Sequence, residues 1–259
     1  MDAMDGLIAG AEAAADVAGA VIRPFFRAHL EAELKSDDSP VTIADRSAEQ
    51  AMRAVLTQRF PDFGVLGEEF GCDRPAARLC WVLDPIDGTK AFITGRPLFG
   101  TLVALLEDGK PILGVIDQPV TGERWVGATG RKTVFRGPMG GRAGCRPCAT
   151  LNEAELSCTG PNLLGGDLPR WQRLADTVRR VSWGGDCYAY GLLALGHIDV
   201  IAEVTMKLWD WAALVPVVEG AGGRITDWSG QALRRDGDGR VLAVGDPGLL
   251  DAAIARLAE

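Results

Sequence analysis

The sequence predicts a layered fold of the α/β or α+β class, and three observations carry that prediction. Apolar residues recur at helical spacing near the amino terminus, short apolar runs end in acidic residues, and strand-like and helix-like segments alternate through the second half. The 259 residues are 47% hydrophobic, enough to bury a core without disulfide support, and 33 glycines imply many tight turns.

Taken in order, residues 4–34 place Leu7, Ala11, Ala14, Ala18, Val21, Ile22 and Phe25 at helical spacing, which predicts one long helix kinked at Pro24. A turn over 35–40 leads to a second amphipathic helix over 46–60, with Ala48, Met52, Val55 and Leu56 on one face, ended by Pro61. Apolar runs at 63–67 and 78–83 read as buried strands that deliver carboxylates at their carboxyl ends. Residues 98–126 form a β-meander with turns at Asp108-Gly109 and Thr121-Gly122. The Gly- and Arg-rich loop 137–144 marks the boundary between two halves, 1–140 (α+β) and 141–259 (α/β), of one compact unit. Beyond it the pattern predicts a strand at 155–159, helices at 171–180 and 187–195, a strand at 198–202 and a helix at 211–219. Strands at 224–228 and 241–244 and a helix from Pro247 complete the chain.

Composition narrows the function classes. The 27 basic residues face 35 acidic ones, a net charge of −8, which argues against nucleic-acid or anionic-membrane partners. No stretch approaches the ~18 apolar residues of a membrane span, and Asp2 and Asp5 stand where an export signal carries positive charge, so a cytoplasmic protein is expected. The six cysteines then read as free thiols, including Cys145 and Cys148, whose CxxC spacing has no second pair or nearby histidine. With His29 and His197 alone, neither a His-rich zinc site nor a Ser-His-Asp triad is expected.

The string Asp84-Pro85-Ile86-Asp87-Gly88-Thr89 ends an apolar run in two carboxylates, a carbonyl between them and a glycine that opens a helix. Hard oxygen ligands suit Mg²⁺, and helix-start N–H groups suit phosphate. Alone, the string is equally an ordinary turn. Glu68-Glu69 at the end of the preceding strand and Asp210 at a helix start tip the balance, because gathered carboxylates in apolar surroundings call for cations. An aspartyl-phosphate mechanism of the haloacid-dehalogenase type needs two aspartates separated by one residue, and here two intervene.

Together Glu68 in Gly-Glu-Glu, the 84–89 string, Trp209-Asp210 followed by Gly220-Ala221-Gly222-Gly223, and the segment 41–45 ending at Asp45 resemble the motifs of the inositol monophosphatase superfamily, in order and interval. The resemblance runs from about Lys35 to the carboxyl terminus and implies an α-β-α-β-α sandwich that hydrolyses a phosphomonoester with Mg²⁺. By position, Glu68, Asp84 and the Ile86 carbonyl would hold one ion and Asp84, Asp87 and Asp210 a second, with a weaker third near Glu68. Asp45 and Thr89 would orient and deprotonate the attacking water, with no covalent intermediate, and the N–H groups of Gly88 and Thr89 would hold phosphate. Lys35 matches a position near the site in relatives, the equal alternative being a solvated turn residue. The first half would thus carry most metal ligands, and the second Asp210 and the recognition residues. Relatives are homodimers, which the resemblance carries over.

Strings at 183–190, 196–199 and 203–210, with Lys90 and Gly95-Arg96-Pro97, look like the histidinol-phosphatase branch, so L-histidinol phosphate is the expected substrate. Glu203 matches an acidic residue that meets the leaving group in relatives, the alternative being a solvated strand end. Asp186 is a second candidate for that cationic end, with a helix N-cap as its alternative. Inositol 1-phosphate and a 3'-phosphoadenosine 5'-phosphate-type nucleotide are the rival substrates, and a silent metal-binding scaffold is the non-enzyme rival.

Overall fold

A computed structural model describes residues 2–28, 33–34 and 40–258; His29 and Lys35 lie outside the described residues. Helix α1 (Ala3–Ile22) starts at a capping box between Asp2 and Asp5 and buries Gly10, Ala11, Ala14, Ala15 and Ala18, small residues that admit a close neighbour. The expected helix over 4–34 stops at Ile22: Pro24 lacks an N–H, residues Arg23–Phe25 form one 3₁₀ turn, and Arg27 is left-handed at φ 61°. Strands β1 (Glu33–Leu34) and β2 (Pro40–Val41) pair antiparallel. Helix α2 (Ile43–Arg59) begins three residues before the predicted start, because Thr42 caps it reciprocally with Asp45.

Strands β3 (Gly64–Gly67), β4 (Gly71–Asp73), β5 (Leu79–Asp87), β6 (Gly100–Glu107), β7 (Lys110–Gln118), β8 (Glu123–Ala128) and β9 (Val134–Arg136) form a seven-stranded sheet in the order β4-β3-β5-β6-β7-β8-β9. Within this sheet, among the described residues, only β3 and β5 pair in parallel. Helix α3 (Thr89–Ile93) links β5 to β6. Asp108 and Gly109, at φ 48° and 79°, make the predicted hairpin turn between β6 and β7.

The second half supplies β10 (Glu155–Cys158), α4 (Leu168–Ala175), β11 (Arg180–Trp183), α5 (Asp186–Leu193), β12 (Val200–Glu203), α6 (Leu208–Trp211), α7 (Leu214–Gly220), β13 (Arg224–Thr226), β14 (Val241–Val244) and α8 (Leu250–Leu257). Its five-stranded sheet runs β11-β10-β12-β14-β13. The predicted helix over 171–180 ends at Ala175, and Arg180–Trp183 instead forms an edge strand parallel to β10. The predicted helix over 211–219 is two helices, broken at residues 212–213.

Alternation along the strands explains the five layers. On β5 and β6, Trp81, Leu83, Val103 and Leu105 pack under α1 and α2, while Val82, Leu102 and Ala104 face α5 and α7. On β12 and β14, Ile201, Val241 and Ala243 meet that same helical layer from the other side, and Val200, Ala202, Leu242 and Val244 turn to α4 and α8. The result is the expected α-β-α-β-α sandwich. Glycine sets the middle spacing: a β-carbon on Gly114 or Gly127 would overlap the backbone of Ala213 or Pro216, so α7 lies directly on β7 and β8. Among the described residues no helix is long and apolar enough to cross a membrane.

Candidate active site

Three carboxylates converge where β5 ends and α6 begins: Asp84, Asp87 and Asp210 each bring an oxygen within 4.8 Å of the others. Each is fixed by backbone. Ile86 N–H donates to Asp84 Oδ1 at 3.0 Å, Cys187 N–H to Asp87 Oδ2 at 2.6 Å, and Lys207 N–H to Asp210 Oδ2 at 2.7 Å. A carboxylate has about four acceptor positions, so these anchors leave capacity facing the cluster. The register shift between Asp84 and Asp87, where β5 slips against β6, turns both side chains to one place. Thr101 Oγ1 donates to the Pro85 carbonyl at 2.8 Å and holds that bend.

Burial and mutual repulsion mark the same spot. Burial, then the charges of Glu68, Asp87, Asp210 and Asp45, raise the Asp84 carboxyl well above the ordinary range; burial, Asp186 and Asp210 do the same for Asp87. Burial takes Asp210 up to about 7 and Asp45 up to about 6. Oxygen donors gathered this closely, at a cost in self-repulsion, are the donor set a divalent cation requires.

Glu68 follows β3, its N–H bonded to the Leu83 carbonyl at 3.2 Å, and lines a cleft of about 370 Å³ with Gly88, Thr89, Lys90, Arg96, Thr159 and Asp186. Gly88 is left-handed at φ 89°, and a β-carbon there would lie 2.9 Å from Asp186 Oδ2. It caps α3, whose first N–H groups have no partner within the helix. Asp45 and Thr89 are engaged locally rather than with each other. Asp45 Oδ2 accepts from Thr42 N–H at 2.8 Å and Thr42 Oγ1 at 2.6 Å, while Thr89 Oγ1 donates to the Ile86 carbonyl at 3.1 Å. That carbonyl, expected as a metal ligand, has a second lone pair to offer.

Glu203 is 5% exposed, so it is no solvated strand end. Its Oε1 accepts from Thr159 N–H at 2.7 Å and Thr159 Oγ1 at 2.9 Å, and its Oε2 from Cys158 Sγ at 3.4 Å. Burial raises it to about 7. Asp186 is the first residue of α5, behind Gly185, and makes no side-chain cap; burial raises it to about 6 against the pull of Lys90. Both carboxylates line a pocket of about 120 Å³ together with Asp87, Asp210, Thr159 and Tyr190. Thr159, Lys90 and Arg96 thus join the site without having been singled out as site residues by sequence. The signal for Thr159 was available in one form: like Glu68, it directly follows a predicted, largely buried strand. All six cysteines are free thiols, and His197 is exposed.

Residues 3–259 match the model of the inositol monophosphatase family. Bifunctional phosphatase IMPL2, chloroplastic, of Arabidopsis thaliana is 48% identical over 231 residues, 88% of this chain and 66% of that longer protein. A histidinol-phosphatase of Mycobacterium tuberculosis is 41% identical over 95% of both chains. The solved structure of an inositol monophosphatase from Zymomonas mobilis superposes with a TM-score of 0.90 at 48% identity, covering 99% of both chains.

Proposed function

The chain belongs to the inositol monophosphatase family and is a phosphoric monoester hydrolase, and from that premise we propose that it cleaves L-histidinol phosphate to L-histidinol and phosphate, a step of histidine biosynthesis. The observation that carries the choice is the pair of carboxylates, buried Glu203 and half-buried Asp186, in the pocket beside the acidic cluster. A leaving group with an ammonium and an imidazole compensates such charges, whereas the hydroxyls of a polyol do not. The 41% identical histidinol-phosphatase supports the same choice.

The family is metal-dependent, generally on Mg²⁺, and the donor set fits it. In this reading Glu68, Asp84 and the Ile86 carbonyl would hold one ion and Asp84, Asp87 and Asp210 another, with a weaker third near Glu68. Bound ions supply positive charge to the phosphate oxygens and acidify water. Asp45, fixed by Thr42 and with its carboxyl near 6, is ionised at neutral pH and accepts the proton of the attacking water, oriented with Thr89. The N–H groups of Gly88 and Thr89 hold the phosphate. Lys90 faces Asp186 and keeps that carboxylate charged for the amine end. Two Mg²⁺ ions would halve the formal charge of −8, so an acidic protein takes an anionic substrate through local charge reversal. A cytoplasmic homodimer completes the reading, to be checked by fractionation and light scattering.

A second substrate is favoured by the 48% identical structure described as an inositol monophosphatase, and by a plant relative named as bifunctional. Phosphate release with Mg²⁺ from histidinol phosphate, inositol 1-phosphate and 3'-phosphoadenosine 5'-phosphate decides. The expected kcat/KM is highest for histidinol phosphate; a preference for either other ester overturns the assignment, and no turnover of any leaves a silent scaffold.

A further inference from the structure

We infer that Glu49, one helical turn beyond Asp45 on α2, is a positioning residue that holds the turn bearing Glu68 at the distance the metal site needs. The inference rests on the metal-dependent phosphatase reading above. Residues four apart share a helix face, so α2 presents two buried acids in register: Asp45, whose charge acts on Asp84, and Glu49 beneath the turn from β3 to β4. Glu49 is fully buried. Its Oε2 accepts the N–H of Glu69 at 2.7 Å, and its Oε1 accepts the N–H of Phe70 at 3.3 Å and Nε of Arg53 at 2.7 Å. Arg53 continues the clamp across the turn, donating to the Gly71 carbonyl at 2.5 Å and to Asp73 Oδ2 at 2.8 Å.

The carboxylate reaches this position only because residue 67 is glycine. Gly67 pairs with Gly71 at the base of the turn, and a β-carbon on it would overlap Glu49 Oε1. A short turn between antiparallel strands ordinarily solvates its own amides, and a buried anion beneath it is costly unless it is paired and hydrogen-bonded. Here that arrangement is built under the two residues that follow Glu68, and Glu68 lines the cleft. Charged acceptors hold amide N–H groups more tightly than neutral ones, so Glu49 fixes the backbone from which Glu68 extends. The same helix thereby sets Asp45 and Glu68 relative to each other.

The test is Mn²⁺ binding to the whole protein, followed by electron paramagnetic resonance, with the Mg²⁺ dependence of turnover alongside. Glu49→Gln keeps the shape and loses the charge; Gly67→Ala leaves Glu49 and Arg53 intact and pushes the turn away. Each is expected to weaken Mn²⁺ binding about tenfold, the size seen when a group that orients a metal ligand is removed, and to raise the half-saturating Mg²⁺ likewise. At saturating Mg²⁺, kcat returns toward the parent value, because the loss lies in binding the ion. Combining Glu49→Asp with Gly67→Ala gives room for the methyl and recovers part of the affinity. Unchanged Mn²⁺ affinity in folded variants overturns the inference, and if Glu49→Gln does not fold, Gly67→Ala decides by the same measure. A parent protein that binds no Mn²⁺ overturns the metal reading itself, and with it any role in positioning.

Discussion

Thr159 grips Glu203 twice, through its N–H at 2.7 Å and its hydroxyl at 2.9 Å, both on Oε1. The acid therefore projects from a fixed point on β12 into the pocket, although the two residues are 44 positions apart. Removing the hydroxyl in Thr159→Val costs about 1–1.5 kcal/mol, so the KM for histidinol phosphate should rise roughly five- to tenfold with kcat little changed. In a Glu203→Gln background the same change should add almost nothing, because the partner is already altered. Additive effects in a double-mutant cycle of steady-state kinetics would show that Thr159 acts elsewhere.

The acidic cluster makes the stability of the metal-free protein fall as pH rises. Asp84, Asp87, Asp210 and Asp45 all have carboxyls raised on folding, so between about pH 4 and 7 the folded chain holds protons that the unfolded chain has released. Their contribution is present below the ordinary carboxylate range and is lost as pH climbs through 6 and 7. In EDTA the Tm should be lower at pH 8 than at pH 5.5. Mg²⁺, which binds the ionised form, should raise Tm more at pH 8 than at pH 5.5. Differential scanning fluorimetry reads both, and an EDTA Tm that climbs with pH contradicts the account.

Asp84 is the most crowded member, repelled by Glu68, Asp87, Asp210 and Asp45. Asp84→Asn should abolish turnover while making the metal-free protein more stable, with Tm up by about 2–4 °C for each kcal/mol of repulsion relieved. Full activity in this variant would remove Asp84 from the metal site. A large loss of Tm would mean that its packing outweighs its charge.

Gly88→Ala strains the site at one atom. The φ of 89° disfavours any β-carbon, and the new methyl would lie 2.9 Å from Asp186 Oδ2. A left-handed residue with a side chain costs about 1–2 kcal/mol, and relieving the clash separates the phosphate-binding turn from α5. The expected result is a kcat/KM lowered more than tenfold with a Tm lowered by only about 2–8 °C on the usual scaling. Parent-level kcat/KM would show that the turn accommodates the methyl without consequence.

Local chemistry made half of the site legible in sequence. Asp84, Ile86, Asp87, Gly88 and Thr89 lie within six residues of an apolar strand end, so their proximity follows from chain connectivity alone. The β-meander was equally readable, since Asp108-Gly109 prescribes its turn. Elements with weak local signals were not. The strand Arg180–Trp183 is a short, largely exposed edge, stabilised by pairing with β10 rather than by its own pattern. The long first helix looked continuous because its apolar spacing runs past Pro24, where the missing N–H ends it.

By itself, then, the sequence determined which residues are acidic, where strands deliver them and that strands and helices stack in layers, because these depend on neighbours in the chain; the α-β-α-β-α order came only from the family resemblance. The tertiary structure brought Asp210 to Asp84 and Asp87, as the family resemblance alone had implied, and it alone decided that Asp186 rests on Gly88 and that Glu49 reaches beneath the turn of Glu68 through the space left by Gly67. Those relationships join elements 18 to 126 positions apart, and they are fixed by close packing and by hydrogen bonds to buried charges, forces that act only once the layers have assembled.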